Sequence, residues 1–258
     1  MNKLDLAFRS PLLNAAGTLG FAPAKRGPVD LDSFGAFFTN PISRGPRRPA
    51  EERACQGYPG GLLLHTGLPN PGFRAVLRQH AAQWRTASLA VVVHLIGDQP
   101  EDIAWMVRGL ESGENIAGVE IGIPPGASPD LARMLVQAAA GELPVIACLP
   151  MERAPELAAA LPRDAVTAAF SLAAPRGCLP GSQKLLRGRM LGPGVFPLAL
   201  AAVHELTRLG LPVIGGGGVQ QPADFQAMRA AGALAVQLDL ALWQLDGAAH
   251  FQANPRGV

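Results

Sequence analysis

Cysteine is scarce in this sequence. The three present, Cys55, Cys148 and Cys178, form no C-x-x-C pair and are odd in number. That argues for a reducing compartment and against a disulfide framework or a structural zinc. Long hydrophobic runs are also missing: nothing approaches the roughly 20 apolar residues that span a bilayer, and Asp5 and Arg9 interrupt the opening "MNKLDLAFRSP" before it reaches signal-peptide length. No charge of one sign dominates, since 22 basic residues face 20 acidic ones for a net charge of +2. This balance favours no acidic partner and points to neither nucleic acid nor a membrane. The one basic cluster, "RGPRRPAEER" (Arg44 to Arg53), is followed at once by acids and reads as a solvated loop or a phosphate patch. Short repeats and low-complexity tracts are absent. The expectation is a soluble, cytoplasmic protein, with homo-oligomerisation open and no protein partner named.

What is present is ample core material, with 48% of the 258 residues hydrophobic. Eight short apolar runs bounded by Gly or Pro read as strands: "PLLNAAG", "GAFFTNP", "LAVVVHLIG", "GVEIGI", "PVIACLP", "AVTAAFSL", "PVIGGGG" and "AVQLDLAL". Near-continuous apolarity is the pattern of strands buried on both faces. Helical spacing fills most of the gaps. "PGFRAVLRQHAAQW" repeats Phe73, Val76, Leu77, Ala81 and Trp84 on one face, and "QPEDIAWMVRGLE" opens with Pro100 and acids. "SPDLARMLVQAAA" offers Ser128 as N-cap before Pro129. "FPLALAAVHELTRLG" and "QPADFQAMRAAG" end on glycine. Alternating strands and helices over about 250 residues predict a single (β/α)8 TIM barrel spanning residues 1–258. Two long irregular stretches, about Arg44 to Asn70 and about Ala173 to Val195, are expected to cover the C-terminal end of the barrel.

In such barrels the chemistry sits in the loops after the strands. The fourth predicted strand, "GVEIGIPPG", ends in Gly122, Ile123, Pro124 and Pro125, with no nucleophile and no amide. The seventh ends in Gly215 to Gly218 before a helix, which reads either as a phosphate cradle of backbone N–H groups or as a tight structural turn. Asp239, at the end of the eighth, would repel a phosphate held there; it reads equally as a salt-bridge partner or a helix cap. Cys148, His94 and Glu120 lie on three separate strands. They are the parts of a thiol nucleophile or a metal site, but no sequence spacing joins them, and a buried inert cysteine is the plainer reading of Cys148. Lys184, Arg187 and Arg189 cluster in the second long loop, as an anion site or as solvated charge.

Four stretches, in order and across nearly the whole chain, resemble the dihydroorotate dehydrogenase family, the flavin barrels of pyrimidine synthesis. "SPLLNAAGTLGF" is similar to the opening strand and flavin loop. "GGLLLHTGLPNPGF" resembles the substrate loop of the soluble class 1 enzymes, and "LGPGVFPLAL" the S-G-x-x-I-K-P segment. "LPVIGGGGVQQPADFQAMRAAGALAVQL" resembles the flavin-phosphate loop, its helix and the last strand. The resemblance implies an FMN-dependent oxidoreductase. It places cofactor contacts at Ala16, Gly17, Asn40, Gly192, Gly217 and Gly218, and a substrate contact at Asn70.

The same comparison exposes departures. Gly122 stands where the family has an asparagine, and "IPPG" where its loop carries the catalytic base. Asn40 and Cys148 replace two lysines, and Leu64 the first substrate asparagine. "SLAA" replaces an asparagine pair, Leu191 a serine, and Asp239–Leu240 the Gly-Thr that helps hold phosphate. The expected function is therefore a divergent, non-catalytic or repurposed barrel, unable to oxidise dihydroorotate and without tightly bound FMN. Two alternatives stand beside it: an FMN-dependent oxidoreductase acting on another small substrate, and a non-flavin enzyme using Cys148, His94 and Glu120.

Overall fold

The computed structural model of the protein describes residues 6–24, 29–51, 54–161, 167–181 and 184–244. Asp5, Glu52, Arg53 and the first two residues of "AVTAAFSL" fall outside them.

The elements run β1 (Leu12–Asn14), β2 (Phe37–Phe38), β3 (Ala54–Tyr58), β4 (Gly61–His65), α1 (Phe73–Arg85), β5 (Val91–Ile96), α2 (Pro100–Leu110) and β6 (Ile116–Gly122). They continue as α3 (Pro129–Ala138), β7 (Val145–Pro150), α4 (Ala154–Ala160), β8 (Thr167–Ala173), β9 (Arg176–Pro180), β10 (Leu185–Leu191), α5 (Phe196–Arg208), β11 (Val213–Gly216), α6 (Pro222–Ala230) and β12 (Ala235–Leu238). All eight predicted strands are present as β1, β2, β5, β6, β7, β8, β11 and β12. They form one parallel sheet in the order β1-β12-β11-β8-β7-β6-β5-β2, with the helices on its outside, as a TIM barrel requires.

The sheet closes through a side chain. Between β1 and β2 the Asn14 amide donates to the Phe38 carbonyl at 2.8 Å and accepts from the Phe38 N–H at 2.9 Å. It thereby copies a backbone ladder step across a seam where β1 and β2 form no strand pairing of their own. Gly35 N–H donates to the Leu12 carbonyl on the same seam. Asn14 is completely buried, so these bonds answer polar groups that water cannot reach.

Strand alternation divides the apolar residues in two. Leu13, Ala36, Phe38, Val92, Ile146, Ala169, Ile214 and Ala235 form a small cluster that fills the barrel floor, while a larger cluster packs the outer strand faces against the helices. Above that floor the inward residues turn polar: His94, Glu120, Ser171 and Gln237, all buried.

Helix ends follow the sequence signals. The Ser128 hydroxyl accepts from Leu131 N–H at 3.1 Å, and the glycines after α5 and α6, Gly210 and Gly232, have φ of 75° and 101°. The two long stretches expected to be irregular each contain two strands. β3, β4, β10 and β9 pair in that order into a four-stranded antiparallel sheet, with Leu64 opposite Arg189 where the two stretches meet.

Candidate functional site

A cavity of about 410 Å³ opens above the polar layer, within the usual size range of small-molecule sites. Barrel strand ends form its floor, and Leu68, Arg189 and Leu191 from the inserted segments contribute to its walls. Gly122, Ile123, Pro124 and Pro125 line it. The end of β6 thus faces the site and brings only carbon and backbone.

Beneath it, the register of three neighbouring strands gathers the polar groups. His94 pairs with Glu120 across β5 and β6, and Gly122 with Cys148 across β6 and β7. His94 Nδ1 lies 2.5 Å from Glu120 Oε2. The Ser171 hydroxyl donates to Glu120 Oε1 at 2.6 Å, and Gln237 Nε2 reaches the same oxygen at 3.4 Å. Relative exposures of 7% for His94, 1% for Glu120 and 6% for Cys148 put all three out of bulk water. The donor atoms of His94, Glu120 and Cys148 lie within 4.8 Å of one another. Burial, and after it the Glu120 charge, pushes the Cys148 thiol well above the usual cysteine range; the Ser171 hydrogen bond and Arg189 act the other way. At rest Cys148 is therefore a neutral thiol.

Gly122 has a steric reason. A Cβ built there would stand 2.9 Å from His94 Nε2 and 3.1 Å from Ile96 Cγ2. The missing side chain is the room that the imidazole occupies, and the bare strand end is the counterpart of a histidine one strand away. Gly122→Asn is accordingly expected to destabilise the fold by about 1–3 kcal/mol, as overpacking does. Combining it with His94→Ala should give non-additive losses in urea unfolding; simple additivity would contradict the contact.

Cations line one wall. Arg189 faces the cavity, where burial and the neighbouring Arg176 guanidinium lower its pKa and the nearby Cys148 works in the opposite direction. Among the described residues no carboxylate forms an ion pair with it. Lys184 and Arg187, its companions in sequence, are exposed and outside the cavity lining.

The glycine loop after β11 is engaged from within. Asp239 Oδ2 accepts from Gly218 N–H at 3.2 Å, and Oδ1 accepts from Leu240 N–H at 2.6 Å. Asp239 is thus both things its sequence position allowed: it caps the short 3-10 helix Leu240–Trp243 and faces the loop. Burial raises its pKa, while the Gly218 and Leu240 N–H groups restrain the rise. Its charge in turn helps burial raise the pKa of Tyr58, so the phenol stands near it. Gly217 and Gly218 have φ of 107° and 73°, and a Cβ on Gly218 would meet the Gly192 carbonyl oxygen at 2.5 Å. The three glycines therefore serve a tight packing of loop on loop.

Of the other residues singled out in the sequence, Ala16, Gly17 and Gly217 line the cavity, whereas Asn40, Asn70, Gly192 and Gly218 do not. Asn40 Oδ1 accepts from Gly20 N–H at 3.1 Å and ties down the loop after β1. The Asn70 amide is used within its own loop: it accepts from Ser43 and Gly72 N–H and donates to the Leu68 carbonyl. Sequence reading missed Ser171, inside a stretch taken as apolar, and Gln237. The available signal was period two: Ser171 lies two positions beyond the inward Ala169, and Gln237 two beyond Ala235.

The family model for dihydroorotate dehydrogenase matches residues 1–142, more than half of the chain. The chain belongs to the dihydroorotate dehydrogenase family. Among curated proteins it is similar to the catalytic subunit of dihydroorotate dehydrogenase B (NAD(+)) from several organisms. The Pyrococcus furiosus protein is 28% identical, with 98% of this chain and 90% of that protein covered. Those of Pelobacter propionicus and Bacillus mycoides are 29% and 27% identical, each covering 93% of this chain and 86% of the relative. The similarity to these relatives runs over 93–98% of the chain, beyond the residues the family model matches.

Proposed function

We propose that this chain is a repurposed member of its family. Its barrel mouth receives a small anionic compound other than dihydroorotate, and it does not hold FMN tightly. The carrying observation is the place of Asp239, whose carboxylate accepts from Gly218 N–H and Leu240 N–H where the resemblance puts the flavin phosphate. A phosphate at that loop would meet occupied donors and a buried acid. At an effective dielectric of 20, two unit charges 4 Å apart repel by about 4 kcal/mol. The side chains that the loop glycines meet are apolar, Met151, Val195 and Ala199 at Gly217 and Leu240 at Gly192. The residues present do not fit the cofactor's phosphate end. Arg189, facing the cavity, supports an anionic ligand.

A second reading, non-flavin chemistry at Cys148, His94 and Glu120, is favoured by their meeting within 4.8 Å. The two readings are compatible, because both leave the flavin out. A visible spectrum of the purified protein tests them together. The expected result is a colourless protein that stays so after FMN is added and the mixture desalted. Stoichiometric yellow flavin in the protein as isolated would overturn the proposal.

A further inference from the structure

We propose that His94, Glu120 and Cys148 form a binding site for a divalent transition metal of zinc type, with its open coordination position facing the cavity. The inference rests on the reading that the barrel mouth has been repurposed. The donors come from consecutive strands β5, β6 and β7, so the barrel's rigid hydrogen-bond register holds their backbones together. One nitrogen, one carboxylate oxygen and one sulfur within 4.8 Å are a mixed set. It suits Zn²⁺ or Co²⁺ and does not suit Mg²⁺ or Ca²⁺, which take oxygen alone. Three protein ligands with a vacant fourth direction toward a ligand cavity is the arrangement of metal sites that do chemistry, whereas purely structural sites are closed.

Two further features support the site. Glu120 is oriented from behind by the Ser171 hydroxyl at 2.6 Å and by Gln237 at 3.4 Å. That is the outer layer of hydrogen bonds that fixes a ligating carboxylate. Gly122, paired with Cys148, carries no side chain to press on His94 Nε2. The family's asparagine at this position would crowd the imidazole; glycine lets it stand beside Cys148.

The distances require only small adjustments. With bonds of about 2.0 Å to nitrogen and oxygen and about 2.3 Å to sulfur, tetrahedral zinc separates N and O by about 3.3 Å and N and S by about 3.6 Å. The His94–Glu120 contact of 2.5 Å opens by somewhat less than an ångström, and the sulfur, within 4.8 Å of the other donors, moves in by at most about 1.2 Å. Side-chain rotation supplies both. A Glu–His hydrogen bond serving only to fill the barrel interior would give Cys148 no part, and this distinction makes the proposal testable.

The experiment is a titration of chelator-treated, full-length protein with Co²⁺, followed by absorption spectroscopy, with Zn²⁺ competition and metal analysis of the protein as isolated. The expected result is one equivalent bound per chain, a thiolate-to-cobalt charge-transfer band, and displacement by Zn²⁺. Cys148→Ser should abolish the band and weaken binding by at least about 100-fold. Ser171→Ala should weaken it by about 10-fold, the lower end of the effect of losing an outer-layer partner. Cys55→Ser and Cys178→Ser, at exposed sites, should change neither. Absence of binding by the wild type, a cobalt spectrum without the thiolate band, or undiminished binding by Cys148→Ser would each overturn the site. The wild-type band reports sulfur ligation directly, so the conclusion stands even where a variant folds poorly. A colourless protein that binds no metal would sink the metal site alone, whereas a yellow one would sink the reading beneath it.

Discussion

Purified protein given dihydroorotate together with fumarate, a quinone or NAD⁺ is expected to form orotate no faster than the uncatalysed background. Oxidation in this family needs a positioned base to take a proton from the substrate, and such a base contributes roughly 10²- to 10⁴-fold to a rate. The segment where the resemblance places it is Ile123–Pro124–Pro125–Gly126, of which the first three residues line the cavity with carbon. His94 and Cys148, two of the titratable groups that line the cavity, are not ready substitutes. His94 is engaged with Glu120 at 2.5 Å, and the Cys148 thiol is held protonated by burial and by the Glu120 charge. The polar contacts to substrate are depleted as well. Leu64 and Gly122 stand for amides, Leu172 and Ala173 line the wall where the asparagine pair would be, and Asn70 is turned into its own loop. About five contacts at about 1.5 kcal/mol each amount to roughly 7 kcal/mol, or about five decades in dissociation constant. Such terms do not add strictly, but all act in one direction. Orotate formation at a rate that scales with enzyme concentration would refute this.

The second expected result concerns Asp239→Gly. Replacing this carboxylate releases the Gly218 and Leu240 N–H groups from their present acceptor and removes a buried negative charge. FMN affinity should rise by about 10- to 100-fold, which corresponds to about 1.4–2.8 kcal/mol and to the usual worth of one or two hydrogen bonds to a charged group. Adding Cys148→Lys should raise it further by restoring a cation above Glu120, where the resemblance places a flavin-contacting lysine. Equilibrium titration by flavin fluorescence quenching measures both steps. The gap between wild type and Asp239→Gly should narrow as pH falls. Burial raises the Asp239 pKa, so acidification neutralises it in the wild type, whereas protonation of free FMN is common to both measurements. Equal affinity for wild type and both variants at neutral pH would show that Asp239 is not what keeps the flavin out.

How much of this was legible in the sequence differs by element. The eight barrel strands were, because a strand buried on both faces must be nearly all apolar and must end at Gly or Pro where the chain turns. "LAVVVHLIG" and "PVIACLP" allow little else, and β5 and β7 are buried throughout. The inserted sheet was not. β9 alternates exposed and intermediate residues and β4 buries only Leu63, so these strands lack the continuous burial of the barrel strands, and β4 and β10 pair although more than a hundred residues of chain separate them. Only the barrel beneath them brings those edges together.

The candidate site divides in the same way. Composition and order determined the family and the barrel, and they carry the expectation that base and amides are absent, since these follow from which residues stand in line. That Asp239 turns onto the Gly218 amide, that Asn70 turns away from the cavity, and that Arg189 faces it while Arg187 does not were decided by the tertiary structure. So was the meeting of His94, Glu120 and Cys148. They lie 26 and 28 positions apart in the numbering, a separation that carries no periodic signal. The contact arises from inter-strand register, set by hydrogen bonds between neighbouring parallel strands, and a register is a property of a pair of strands that neither strand's sequence holds alone.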